Sequence, residues 1–216
     1  MTSLHQQLRE AVSWFVDEFS GEEAYDEGHS FPWVNHLWRG AAFRRAHLDV
    51  VDASDTHKLF MMHLCIFPHV NDPSPIYGFD LIAGPNKVTG AFHDFSPVAG
   101  DTPLDTYFAQ RSAQKRWSKE RQLPHWAQQI FSGRMVAAGN IQDPDELREL
   151  LDFAKENLAH YLATLGKPTR GDYTNEHNNY CHWQKQNPHT PRVMAALGFG
   201  PEVVSEFIQK CLFPEV

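Results

Sequence analysis

The chain has 216 residues, 42% hydrophobic and 21% charged, and its 15 Phe, 6 Trp and 6 Tyr are too much aromatic surface to stay solvated in a disordered chain. A formal charge of −8 argues against a dedicated nucleic-acid binder, and no apolar run approaches the roughly 18 residues needed to cross a bilayer. The N-terminus lacks a basic segment leading into an apolar one, so a cytoplasmic protein is expected, with no membrane and no nucleic acid among its partners.

Leu4, Leu8, Ala11, Val12, Phe15, Val16 and Phe19 recur at helical spacing and predict an amphipathic N-terminal helix. Residues 17–27 are acidic and read as a solvated helix end and loop. Residues 31–49 mix aromatic and β-branched side chains and predict one or two strands. Three clearer strands follow at 58–67, 76–83 and 87–95, the last two joined by Gly84-Pro85-Asn86, which is hairpin turn chemistry. Strands apolar on both faces need cover on both sides. Residues 144–165 supply a strong helix, 173–186 and 201–212 two more, and a short one starts near Thr190; 134–138 adds a further strand. These elements predict a single domain, 1–216, built as an α/β/α sandwich in which helices flank both faces of a central antiparallel β-sheet.

Cys65, Cys181 and Cys211 stand far apart, which excludes a disulfide framework and a cysteine-held cluster. Neither a GxGxxG nor a GxxxxGK[ST] pattern is present. The stretch 177–182 holds His and Cys but no recognised metal-ligand spacing, so no metal is expected.

Two residues break the apolar strands. His63 falls within Leu59-Phe60-Met61-Met62-His63-Leu64-Cys65-Ile66-Phe67, and Asp80 within Ile76-Tyr77-Gly78-Phe79-Asp80-Leu81-Ile82. A sheet-centre carboxylate needs a partner, a raised pKa or a polar cavity. The two strands are joined by a proline-rich loop, so the residues are candidate neighbours across the sheet and a candidate proton donor beneath an apolar ligand. The plainer alternative is a histidine satisfied within the core. Gly78 and Gly90 are candidate points of close ligand approach. Asp94 reads as structural, tying down the strand end before Ser96-Pro97.

The segments His63-Leu-Cys-Ile-Phe-Pro68, Tyr77-Gly-Phe-Asp80-Leu-Ile-Ala-Gly-Pro85 and Asp94-Phe-Ser-Pro97 resemble the ferredoxin-dependent bilin reductases. So do Phe43-Arg-Arg-Ala-His47-Leu-Asp49 upstream and Arg121-Gln-Leu-Pro124-His-Trp126 and Ile130-Phe-Ser132 downstream. Tyr180-Cys181, Gln186-Asn187-Pro-His-Thr190-Pro-Arg192-Val193, Phe199-Gly200 and Leu212-Phe213 complete the set in order. Within the family the pattern is nearest to the phycocyanobilin-forming enzymes and their short phage-type phycoerythrobilin relatives.

The resemblance implies four-electron reduction of biliverdin IXα to a phycobilin through bilin radicals. It implies no cofactor bound in the protein, with a reduced [2Fe-2S] ferredoxin as external electron donor. By resemblance Asp80 is the central proton donor, His63 its partner and Asp49 an auxiliary acid. Phycocyanobilin-forming members carry glutamate where this chain has Asp49, and their spacing to the histidine is two residues shorter. Some phycoerythrobilin-forming relatives place a second aspartate near Asn187-Pro188, where this chain has no carboxylate. The expected product therefore leans to phycoerythrobilin via 15,16-dihydrobiliverdin, with phycocyanobilin as the alternative. By alignment Asn187 and Val193 are candidate substrate contacts; Arg192 is a candidate cationic partner for the bilin propionates, and Met61, a core residue by default, is a candidate lining of an apolar bilin face. Arg111, Lys115, Arg116, Lys119 and Arg121 form a basic run suited to acidic ferredoxin, with Arg44 and Arg45 as possible additions; the ordinary reading of such a run is a solvated basic helix. A bilin carrier without catalysis and a histidine-rich metal-binding protein are the rival readings, and a monomer is expected.

Overall fold

The computed structural model describes residues 3–216. Seven antiparallel strands lie in sequence order in one sheet: β1 (Glu23–Ala24), β2 (Val34–Arg39), β3 (Phe43–Ala53), β4 (Leu59–Pro68), β5 (Ile76–Ala83), β6 (Val88–Ser96) and β7 (Val136–Ala138). Among the described residues six α-helices and a 3-10 turn, Ala127–Gln129, complete the fold: α1 (Leu4–Glu18), α2 (Pro103–Ala113), α3 (Pro144–Thr164), α4 (Thr174–Gln184), α5 (His189–Ala196) and α6 (Pro201–Glu206), which continues as a π-helical stretch, Phe207–Leu212. The expected α/β/α sandwich is the observed one.

Alternation along the strands divides the side chains between two cores. Leu64, Ile66, Tyr77, Phe79, Leu81 and Phe95 face α1, α2 and α3, whose Leu8, Phe15, Phe108, Leu150 and Leu158 meet them. Each of these helices starts on a local signal. The Ser3 side chain caps α1, Thr102 and Asp105 form a reciprocal capping box with Pro103 at the first turn of α2, and Asp143 caps α3 ahead of Pro144. The α2 helix was not expected from periodicity. It buries only Leu104 and Phe108, too narrow a stripe to register, although its capping box stands plainly in the sequence.

The opposite face carries Cys65, Phe67 and Ile76 against Tyr180, Met194, Phe207 and Cys211 of the C-terminal helices. The β4–β5 loop is anchored by buried Asp72, which accepts hydrogen bonds from the backbone N–H groups of Ser74 (2.9 Å), Gly166 (3.0 Å) and Lys167 (2.9 Å). That loop joins the strands bearing His63 and Asp80, so Asp72 links their register to the end of α3.

Candidate active site

Strand pairing puts Asp49, His63, Asp80 and Phe92 opposite one another across β3, β4, β5 and β6. Their side chains share the face turned to the C-terminal helices. The neighbourhood inferred for His63 and Asp80 is thus a directly paired row. Met61, His63, Gly78, Asp80, Ile82 and Phe92 on this face are only partly buried at the centre of the sheet, whereas their alternating neighbours Met62, Leu64, Phe79 and Leu81 are fully buried. A sheet centre open on one face is an apolar trough with polar groups on its floor. Phe213 stands edge-on to the His63 ring at 5.7 Å between centroids, and Tyr180 stands edge-on to Phe213 at 6.3 Å.

Four titratable groups meet here. His63 Nδ1 lies 3.3 Å from Asp49 Oδ1. Burial lowers the His63 pKa, but contact with Asp49 and the field of Asp80 outweigh it, so the imidazole is raised and holds its proton at neutral pH more readily than a free histidine. Burial pushes the Asp80 carboxyl up to about 6; Asp49 adds to the rise and His63 opposes it. The row therefore contains two groups able to carry and release a proton near neutrality.

The fourth group, His47, was not singled out from sequence. It is fully buried, shares the face of Asp49 two residues away, and its Nε2 pairs with Asn35 Oδ1 at 2.5 Å. Burial, reinforced by nearby Arg45, holds its pKa well below normal, so it is neutral. Nε2 then carries the hydrogen donated to Asn35, which leaves the Nδ1 lone pair without a hydrogen-bond partner. The signal was available: in Ala46-His47-Leu48-Asp49-Val50 the polar residues alternate with apolar ones, which assigns both to one face.

Buried Arg45 holds the roof. Its guanidinium makes two 3.0 Å bonds to the Glu27 carboxylate and one of 2.5 Å to the Cys211 carbonyl, tying β3 to the π-helical stretch above His47. Arg44 stacks over Phe67 at 4.5 Å and bonds His177 at 3.3 Å. Both arginines, expected as possible additions to a basic surface, turn inward because this edge of β3 packs beneath the C-terminal segment. Asp94 accepts from Ser96 Oγ (2.9 Å), Ser132 N (2.8 Å) and the Ser132 hydroxyl, pinning the 130s loop to β6 in the structural role expected of it. Gly90 is covered by Arg121, whose Nη1 lies 2.7 Å from where a Cβ would stand; that glycine admits a side chain of the protein rather than a ligand.

The remaining expectations lie apart from the row or at its edge. Met61 is on the site face, two residues from His63. Asn187 is occupied locally, its Oδ1 accepting from the His189 N–H at 2.9 Å at the head of α5; Val193 is half-buried and Arg192 exposed on that helix. The basic run is not one helical face, because α2 ends at Ala113. Arg111 pairs with Glu156 and Lys115 with Glu149 (2.7 Å), so α3 offsets part of its charge. Arg121 lies 5.7 Å over the ring of Phe92, the row's last member.

The sequence matches the family described as ferredoxin-dependent bilin reductase over residues 3–214. A phycocyanobilin:ferredoxin oxidoreductase of Trichodesmium erythraeum is 29% identical over 87% of this chain and 78% of its own length, and one of Synechococcus sp. is 31% identical over 83% and 74%. Among solved structures, one titled PcyX superposes with a TM-score of 0.72 at 32% identity, covering 97% of this chain and 99% of that one. Phytochromobilin synthase from tomato, solved in complex with biliverdin, has the same fold, with a TM-score of 0.72 at 13% identity over 98% and 83% of the two chains. With the family match running from the first described residue almost to the C-terminus and the fold shared over nearly the whole chain, this protein belongs to the ferredoxin-dependent bilin reductases.

Proposed function

We propose that this reductase converts biliverdin IXα to a phycobilin by four electrons, with Asp80 and His63 as the proton-delivering groups and Asp49 holding His63 in its charged form. The observation that carries the reading is the Asp49–His63–Asp80 row, laid across the floor of an apolar trough with Asp80 raised to about 6. Biliverdin is a flat, largely apolar tetrapyrrole whose polar atoms converge on its inner edge, a shape suited to such a trough. The tomato relative, bound to biliverdin, supports the substrate class.

Each two-electron step takes two single electrons from reduced ferredoxin and two protons, saturating one double bond; two steps give the tetrahydro product. After the first electron the bilin radical anion is a stronger base than biliverdin. A carboxyl group titrating near neutrality releases its proton to it readily, whereas an ordinary carboxylate would hold none at that pH. His63 then restores the proton to Asp80 or serves the second transfer. Asn187, Val193, Arg192 and Met61 are assigned to the substrate, with Met61 the one adjoining the row.

Ferredoxin docks on the basic segment. Arg116 and Lys119 make no ion pair among the described residues, and Arg121 leads from that surface to Phe92 at the edge of the row. Complementary charge suits a transient electron-transfer encounter. The product leans to phycoerythrobilin through 15,16-dihydrobiliverdin, because Asp49 is one methylene shorter than the family's glutamate and is engaged with His63 at 3.3 Å rather than free to serve a vinyl group. The test is anaerobic reduction of biliverdin IXα by the protein with a ferredoxin reducing system, with products separated chromatographically. Phycoerythrobilin is expected; phycocyanobilin would reverse the assignment of Asp49. Binding without conversion would indicate a carrier.

A further inference from the structure

On the sheet face His47 Nδ1 is buried with no hydrogen-bond partner, and buried Asp49 Oδ1 and His63 Nδ1 make no full hydrogen bond, having only their ion-pair contact with each other at 3.3 Å. One ligand atom from each of these three residues lies within 4.8 Å of the other two. A buried polar atom without a full hydrogen bond is costly, about 1–3 kcal/mol, and a single partner shared by the three residues would relieve that cost. Two imidazole nitrogens and one carboxylate oxygen are a common donor set for a divalent first-row transition ion, with three protein ligands leaving a further position open.

We propose that, in the absence of bilin, these three atoms form a transition-metal site of the zinc class. Two details of the geometry support it beyond the donor count. The Asp49–His63 separation of 3.3 Å matches the edge of about 3.3 Å expected between ligands bonded at about 2.0–2.1 Å around a tetrahedral centre. Asn35 Oδ1 accepts from His47 Nε2 at 2.5 Å, the outer hydrogen bond that metal-binding histidines commonly carry, which sets the tautomer and leaves Nδ1 with its lone pair free. His47 is 0% exposed and Asp49 4%, so the ion would sit in a nearly dry setting rather than on an exposed acidic patch. The stretch around His177 and His182 offers no such convergence among the described residues.

A consequence follows that rests on the proposed bilin reduction. An ion held by the His63 and Asp49 atoms that face one another takes the ring nitrogen that would otherwise carry a proton. Zinc occupancy and turnover therefore exclude each other.

The test is titration of the metal-free, substrate-free protein with Zn²⁺ by calorimetry, with Co²⁺ as a spectroscopic probe whose visible bands report coordination number. One ion per chain is expected. Affinity should fall at least about 100-fold in His47→Ala and in Asp49→Ala, and about 10–100-fold in Asn35→Ala, which removes only the outer hydrogen bond. His182→Ala, on the exposed face of α4, should bind as the parent does. Circular dichroism confirms that each variant is folded. The absence of a one-to-one site, or one that persists unchanged in folded His47→Ala and Asn35→Ala, would overturn the assignment. Addition of Zn²⁺ to the reduction assay should slow it over the same concentration range, with recovery on chelation. An unaffected rate at saturating Zn²⁺ would refute the exclusion and leave the titration to judge the site.

Discussion

Replacing Asp80 by asparagine should make the protein more stable near neutral pH. The carboxyl is raised from 3.8 to about 6, chiefly by burial, with Asp49 adding to the rise. A raised carboxyl binds its proton more tightly in the folded chain than in the unfolded one. The contribution of this group to stability is therefore fully present below pH 3.8 and is lost as pH rises through about 6. The gap of about 2 pKa units, at about 1.4 kcal/mol each, makes the decline at most about 3 kcal/mol. Asparagine keeps the shape and carries no charge, so Asp80→Asn removes this part of the pH dependence. For a chain of this size the gain at about pH 8 corresponds to at most about 6–12 °C in Tm. Asp94 is also raised to about 6, mainly by burial, so a similar decline should persist in the variant. Urea unfolding of both proteins between about pH 4 and pH 8 reads the difference directly. Curves that run parallel across that range, or a variant less stable at high pH, would refute the placement of Asp80 as a desolvated carboxyl.

Asp49→Asn removes the charge that overcomes burial at His63, so the His63 pKa should drop and the alkaline limb of the pH–rate profile should move to lower pH. Arg45→Ala strips the cation from the buried pair with Glu27 and its bond to Cys211, and should cost about 3 kcal/mol, measured by thermal or urea unfolding. The rate with limiting ferredoxin should fall about tenfold or more between low and high salt. Lys119→Glu should raise the KM for ferredoxin without changing kcat at saturation.

What was legible in the sequence follows from how each signal arises. His63 and Asp80 stood out because a charged or polar residue inside an apolar strand has few stable explanations. The strands at 76–83 and 87–95 were delimited by turn residues, and their pairing followed from proximity in the chain. His47 escaped because the 31–49 region mixes its pattern: β2 and β3 are separated only by Gly40-Ala41-Ala42, and Arg44 and Arg45 within β3 disguise the alternation that begins at Ala46. The inward turn of those arginines depends on Glu27 and Cys211, 18 and 166 residues from Arg45, and no local rule reaches across such separations. The two-residue β1 lies inside an acidic stretch that carries no strand pattern of its own. The π-helical continuation of α6 likewise has no sequence signature, since Phe207, Ile208, Cys211 and Leu212 satisfy ordinary helical spacing.

The central claim is that Asp80 gives the first proton to the bilin. Its most direct test is a single-turnover reaction with stoichiometric biliverdin IXα under anaerobic reduction, comparing the parent with Asp80→Asn by absorbance and electron paramagnetic resonance. The account predicts that the variant binds bilin with little change, accepts one electron, and stalls as a radical while the parent proceeds to product. Full conversion by Asp80→Asn at the parent's rate would contradict it.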